Sequence, residues 1–237
     1  MSECDVWWAR PIDPEGAAAL VSLLDDHESA RLRAFRKAID RGRYLAAHAL
    51  ARIVLGEHVG ADPAALTLDR TCRCGKPHGK PHLAGGGPEF SLTHSGERVG
   101  VAVSADGPVG LDVEQLRPLP DLDGLAGHAL SPAELRAHPP ADPAAFLTTW
   151  TRKEALLKAT GEGLSSPMSS ITLSPADGPA AVREWTGGDA PDGPFWLVDL
   201  LPDPEHPGAL AGFGAAAPRI RMHDGDALLR GLIVAGP

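Results

Sequence analysis

The stretch Val109-Gly110-Leu111-Asp112-Val113-Glu114 decides how this chain is read. Val109, Leu111 and Val113 alternate with Gly110, Asp112 and Glu114, which is the period of a half-buried strand. Side chains on a strand point to alternate faces, so Asp112 and Glu114 share one, about 6.5–7 Å apart along the backbone. Two carboxylates placed there repel each other unless a cation sits between them. Oxygen-only ligands suit Mg²⁺, which takes one or two protein carboxylates and fills its other positions with water and phosphate oxygens. An exposed edge strand with a polar face would show the same alternation, so the pair needs support from elsewhere.

That support lies in Trp150-Thr151-Arg152-Lys153-Glu154-Ala155-Leu156-Leu157-Lys158. On a helix Glu154 and Lys158, four apart, face the same side. By themselves they would be a surface ion pair worth about 0.3–0.5 kcal/mol. Trp150 stands one turn before Glu154 and reads as packing against the core, while Lys153 flanks the line. The two stretches together offer three carboxylates and two ammonium groups, a set suited to chemistry on a phosphate.

The chain of 237 residues is long enough for one large domain or two modest ones. Aromatic residues make up only 5%, so the core is expected to be mostly Ala, Leu and Val, while 27 Gly and 23 Pro predict sharply turned loops. A formal charge of −9 argues against non-specific nucleic-acid binding, which needs a basic surface. No run approaches the roughly 20 apolar residues of a membrane span. The start, Met1-Ser2-Glu3-Cys4-Asp5, has neither the basic nor the apolar region of a signal peptide. A soluble, cytoplasmic protein is expected.

Along the chain, Val6–Trp8 reads as a strand, Glu15–Asp26 as a helix, Glu28–Ala38 as a basic helix with Arg31, Arg33, Arg36 and Lys37, and Asp40–His58 as a longer one. Residues Arg70–Pro88 form a Gly-, Pro- and His-rich loop. Phe90–Leu92 is a short strand. Ala105-Asp106-Gly107-Pro108 is a turn signal that predicts a β-hairpin between Arg98–Ser104 and the Asp112 strand. Ser131-Pro132-Ala133-Glu134 has the N-cap, proline-first and capping-box pattern of a helix start. Ala144–Thr160 is a helix ended by Gly161, and four short strands follow (Ile171–Leu173, Ala181–Trp185, Phe195–Leu200, Ala209–Ala215). Asp26–Gly56 and Ser131–Gly161 echo each other faintly.

Other clusters are weaker. Cys72, Cys74, His78 and His82 raise a zinc reading, but the spacing is C-x-C and not the usual C-x₂₋₄-C, which favours reduced loop cysteines. Lys76 and Lys80, in two Gly-Lys-Pro copies, precede Phe90-Ser91-Leu92-Thr93-His94-Ser95. A lysine, a hydroxyl and an imidazole in that vicinity can hold a phosphate, and an ordinary polar loop has the same composition.

The succession Gly-Lys-Pro, Phe-Ser-Leu-Thr-His-Ser, Gly-Leu-Asp-Val-Glu and Trp-Thr-Arg-Lys-Glu-Ala-Leu-Leu-Lys resembles the 4′-phosphopantetheinyl transferases of the surfactin-synthetase-activating type. Its Trp and Lys-Glu-Ala form is similar to the broad-specificity branch serving polyketide and non-ribosomal peptide synthases, enzymes of antibiotic biosynthesis. The resemblance implies a monomer of two similar α+β halves related by a pseudo-twofold, each with helices on a small antiparallel sheet, and coenzyme A in the cleft between them. The halves would be residues 1–107 and 108–237. It also implies Mg²⁺ on Asp112, Glu114 and Glu154. Coenzyme A would be contacted by Lys153 and Lys158 at the phosphates, and by Lys80 (or Lys76), Thr93, His94, Arg31 and Arg43 around the adenosine 3′-phosphate. Asp112, Glu154 and Lys158 would be catalytic, the base being Glu154 or a water. The implied partner is an apo acyl or peptidyl carrier protein, with Leu116-Arg117-Pro118-Leu119 as the candidate docking loop. Thr93 stands where the family commonly has Ser, and Glu28 where some relatives have a basic phosphate contact. A different Mg²⁺-dependent phosphotransferase or nuclease, or a non-catalytic binding module, stays open on the residues alone.

Overall fold

The computed structural model describes residues 2–72, 75–76, 79–161, 167–187 and 190–235. In chain order the elements are β1 (Glu3–Ala9), α1 (Ala18–Val21), α2 (Asp26–Ala34), α3 (Ala38–Val59), β2 (Leu68–Asp69), β3 (His82–Leu83), β4 (Glu89–Ser95), β5 (Arg98–Ser104) and β6 (Val109–Val113). They continue with α4 (Leu122–Ala129), α5 (Pro132–Ala137), α6 (Pro143–Thr160), β7 (Ile171–Leu173), β8 (Val182–Trp185), β9 (Phe195–Asp203), β10 (His206–Phe213), β11 (Arg219–Asp224) and α7 (Gly225–Ala235). The chain divides into two compact units, Met1–Asp106 with Arg219–Pro237, and Gly107–Pro218.

The first unit carries a four-stranded sheet in the order β11-β1-β5-β4. Strands β4 and β5 form a hairpin whose two loop residues, Gly96 and Glu97, include a glycine at φ 54°. That positive φ at the first loop position is what a two-residue hairpin matching the strand twist demands. Helix α3 covers one face of the sheet. Its Leu45, Leu50 and Val54 are fully buried with Phe90, Val99 and Val101 in one apolar cluster. The helix is long because its apolar stripe never breaks, and it stops where Gly60 turns left-handed. Residues 15–26, expected as one helix, are a 3₁₀ turn at Pro14–Gly16, the single-turn α1, and a connection to Asp25, which caps α2.

The second unit has a three-stranded antiparallel sheet, β6-β10-β9, and a separate pair, β7-β8. Helix α6 packs on the larger sheet through Ala155, which shares a cluster with Phe146, Leu156, Leu157, Ala209 and Ala211. The Ser131 side chain accepts from Glu134 N at 3.2 Å and Glu134 Oε2 accepts from Ser131 N at 2.6 Å, so the expected capping box starts α5.

Two expectations fail here. β5 does not pair with β6: it is bonded on one side to β1 and on the other to β4, so neither edge is open, and β6 pairs with β10. The Ala105–Pro108 turn therefore carries the chain from one unit to the next. The second half also does not run to the C-terminus, since β11 returns to pair in parallel with β1, which makes that sheet mixed and not purely antiparallel. Among the described residues no helix is long and apolar enough to cross a membrane.

Candidate active site

Gly110 fixes the site of the second unit. A Cβ there would lie 1.9 Å from the carbonyl oxygen of Ala155 and 2.4 Å from the amide of Ala159, so the backbone of α6 rests directly on β6. Gly110, Asp112 and Glu114 share that strand face. The strand thus offers its acids to the helix that carries Glu154 and Lys158. Lys158 Nζ donates to Asp112 Oδ1 at 2.7 Å and to the Leu111 carbonyl at 3.0 Å. Asp112 is only 6% exposed. Burial raises the pKa of the Glu154 carboxyl; the Asp112 carboxylate adds to this, Lys158 opposes it, and Glu114 contributes a smaller rise. Glu154 therefore feels the charge of the other three groups read from the sequence.

Among the described residues no three His, Cys, Asp or Glu side chains stand close enough together to hold a metal. An ammonium, that of Lys158, rests on Asp112. Neighbouring carboxylates repel one another, and the lysine one turn beyond Glu154 sets positive charge beside them.

Lys153 is placed differently from the expectation of a phosphate contact. Its side chain is fully buried, and Nζ donates to Glu134 Oε2 at 2.6 Å and to the carbonyls of Ala129, Met168 and Ile171 at 2.9, 3.1 and 2.7 Å. Burial lowers its pKa and Glu134 opposes that shift. An ammonium so engaged ties α6 to the end of α4, the start of α5 and β7. Arg152, also fully buried, grips Asp199 with two nitrogens at 2.7 and 2.6 Å and binds four carbonyls between Ser174 and Gly178. Trp150 packs against Phe146, centroids 5.8 Å apart, the packing role expected of it.

In the first unit Arg43 Nε donates to the Gly96 carbonyl at 2.7 Å, which ties α3 to the β4–β5 turn beside His94 and Thr93. His94, opposite Val99, is exposed, and Thr93, opposite Gly100, is buried, so the two neighbours face opposite sides of β4. Lys80 leans on the same strand, with Nζ 3.5 Å from Glu89 Oε2, and burial lowers its pKa. Arg31 is exposed and lies 5.3 Å above the Phe35 ring. Glu28 is fully buried and binds Arg52, Arg70 and His48 at 2.6, 2.6 and 2.8 Å, so this acid is structural. Of the zinc reading, Cys74 and His78 lie outside the described residues, and His82 is exposed, 3.6 Å from Asp69.

Residues 108–204 match the model of the 4′-phosphopantetheinyl transferase superfamily. The chain is 35% identical to the 4′-phosphopantetheinyl transferase HetI of Nostoc sp. over 87% of its own length and 87% of the relative's. It belongs to the 4′-phosphopantetheinyl transferase superfamily. The transferase is also 33% identical to 4′-phosphopantetheinyl transferase psf-1 of Bacillus pumilus, over 73% of this chain and 76% of that one, and 28% identical to a Bacillus subtilis 4′-phosphopantetheinyl transferase over 71% and 74%.

The stretch that matches the superfamily holds β6, α6 and their contact at Gly110. Sequence reasoning missed two partners in this transferase: Glu134 for Lys153 and Asp199 for Arg152. The capping box flagged Glu134 as a helix-start residue, but no local pattern joins positions 19 or 47 apart. The candidate docking loop begins at Leu116, whose amide donates to the Glu205 carbonyl at 2.8 Å; Arg117 is exposed and Leu119 buried.

Proposed function

We propose that this transferase moves the 4′-phosphopantetheine group from coenzyme A to a serine hydroxyl of an apo acyl or peptidyl carrier protein. The serine oxygen bonds to the pantetheine-linked phosphorus. The bond from that phosphorus to the bridging oxygen breaks, and adenosine 3′,5′-bisphosphate leaves with the electron pair. The observation that carries this reading is the placing of Asp112, Glu154 and Lys158 on a strand and a helix whose backbones touch at Gly110.

Glu154 suits the base. Its raised pKa, from burial first and Asp112 next, gives it more affinity for a proton than an exposed carboxylate has. It takes the serine proton directly or through a water it orients. Lys158 offsets charge on the leaving bisphosphate, as cations do where charge develops. Arg31, Arg43, Lys80, Thr93 and His94 supply cationic and hydrogen-bonding contacts to the adenosine 3′-phosphate. Lys153 acts indirectly, by holding the turn of α6 that bears Glu154.

The chemistry of the donor set suits Mg²⁺: Asp112, Glu114 and Glu154 are oxygen ligands only, and the charges of Asp112 and Glu114 both raise the proton affinity of Glu154. Drawn closer together than they stand here, these three would hold the ion, which when bound supplies Lewis-acid polarisation of the pyrophosphate. The Trp150 and Lys153-Glu154-Ala155 form supports the surfactin-synthetase-activating branch. It would act there as a cytoplasmic monomer on carriers of polyketide or non-ribosomal peptide synthases, docking them through Leu116–Leu119.

Incubating an apo carrier domain with this protein, coenzyme A and Mg²⁺, and recording intact mass, tests the reading. A gain of one phosphopantetheine per carrier is expected. No gain across a panel of acyl and peptidyl carriers, with coenzyme A bound, would leave a binding module and not a transferase.

A further inference from the structure

Residues 31–43 carry six basic side chains (Arg31, Arg33, Arg36, Lys37, Arg41, Arg43) against one acid, Asp40, in a chain whose net charge is −9. The proposed function uses only Arg31 and Arg43. Arg33, Arg36 and Lys37 are exposed and Arg41 half-exposed, and among the described residues none of the four forms an ion pair. Ile39 stands among them with 38% of its surface exposed.

Helix electrostatics does not account for this. Arg31 and Arg33 sit in the last turn of α2, where cations are favoured. Lys37 is the N-cap of α3 and Arg41 lies in its second turn, the end where the helix macrodipole is positive and cations are disfavoured. Lys37 makes no side-chain cap, so the first amides of α3 add positive potential where three cations already crowd. Like charges held together at the wrong end of a helix cost stability, which Asp40, the acid in the first turn of α3 and already paired with Arg43, does not fully offset. An acidic partner would.

We infer that Arg33, Arg36, Lys37 and Arg41, close in sequence to the exposed Ile39, form a docking surface for an acidic protein face. The occupant is the carrier protein, so the inference rests on the transferase reading above. Two features select it. The segment combines exposed cations with an exposed apolar side chain, the composition of a protein contact in which charges set encounter rate and specificity. The strongly acidic remainder of the chain would repel an extended polyanion such as nucleic acid.

The test is the variant Arg33→Glu/Arg36→Glu/Lys37→Glu, with a milder companion in which all three become Gln, assayed at low and high salt with carrier and coenzyme A varied in turn. The expected result is a rise of about tenfold in KM for the carrier, with kcat and KM for coenzyme A within about twofold of the starting protein. The salt sensitivity of the carrier KM should fall with it. A carrier with its acidic residues reversed to Lys should regain affinity for the Glu variant. The Gln companion should show a smaller shift in the same direction if the Glu variant is unstable. An equal rise in KM for coenzyme A would make the patch a phosphate site, and unchanged constants in both variants would make it an idle surface; either overturns the inference. Absence of transfer by the unaltered protein is instead failure of the transferase reading, and removes the occupant with it.

Discussion

Lys153 Nζ lies 2.6 Å from Glu134 Oε2, and neither side chain has appreciable contact with solvent. Glu134 also accepts from the amides of Ser131 and Leu173 at 2.6 and 2.8 Å. One carboxylate thus starts α5, fixes β7 and anchors the helix that presents Glu154. Removing one member of a buried pair strands the other's charge, which typically costs about 3–5 kcal/mol. Lys153→Met should therefore lower unfolding stability in urea by roughly that amount, and the double variant Lys153→Met/Glu134→Leu should lower it less than Lys153→Met alone. If Lys153→Met left stability intact and raised only the KM for coenzyme A, Lys153 would be a phosphate contact after all.

How much of this was readable beforehand follows the range of each interaction. Helix α6 announces itself locally: Asp142 caps it, Pro143 opens it and Gly161 closes it. The β6 alternation of Val109, Leu111 and Val113 is equally local. Strand β11 was missed because Arg219–Asp224 is mostly exposed, its alternation rests on Ile220 and Met222 alone, and it pairs with β1 across more than two hundred residues. The turn at Ala105–Pro108 misled because the same residues serve a hairpin and a crossing between units; only the occupied edges of β5 distinguish the two. The faint echo between the segments near Asp26 and Ser131 has a physical counterpart. Each contains a capping-box glutamate, Glu28 or Glu134, bonded to a buried cation of its unit's long helix, Arg52 or Lys153.

Gly110→Ala tests the contact on which the site is built. A methyl 1.9 Å from the Ala155 carbonyl cannot be accommodated without separating β6 from α6, since backbone and not a flexible side chain stands in the way. Overpacking of this kind costs about 1–3 kcal/mol or more. A melting temperature lower by several degrees is expected, with transfer lost even where the protein stays folded, because Lys158 moves off Asp112 and Glu154 moves with its helix. Full activity in this variant would show that the strand–helix contact is not needed.

Asp112→Asn keeps shape and volume and removes one charge. Transfer should fall by about a hundredfold or more while circular dichroism is unchanged, as when a group acting on developing charge is lost. Lys158→Met should likewise depress kcat, and its effect on KM for coenzyme A separates a role in binding from one in turnover. Near-normal turnover by Asp112→Asn would remove that carboxylate from the chemistry.

Glu28 gives the fold a defined acid sensitivity. Burial, the largest single influence, pushes its pKa up, but the hydrogen bonds and charges of His48 and Arg52 together outweigh it and hold the carboxyl at about 2, against an ordinary 4.5. A depressed folded-state pKa adds stability that is fully present above the unfolded value and is lost as pH falls through the folded one. The contribution is therefore complete above about pH 4.5 and disappears toward pH 2. From the size of the shift it is on the order of 3 kcal/mol at neutral pH. Glu28→Gln should lose stability at pH 7, and its deficit against the parent should shrink steadily as urea titrations move from pH 5 to about pH 2.5. A deficit that stayed constant across that range would mean that Glu28 stabilises the unit by packing and capping alone, with its charge contributing nothing.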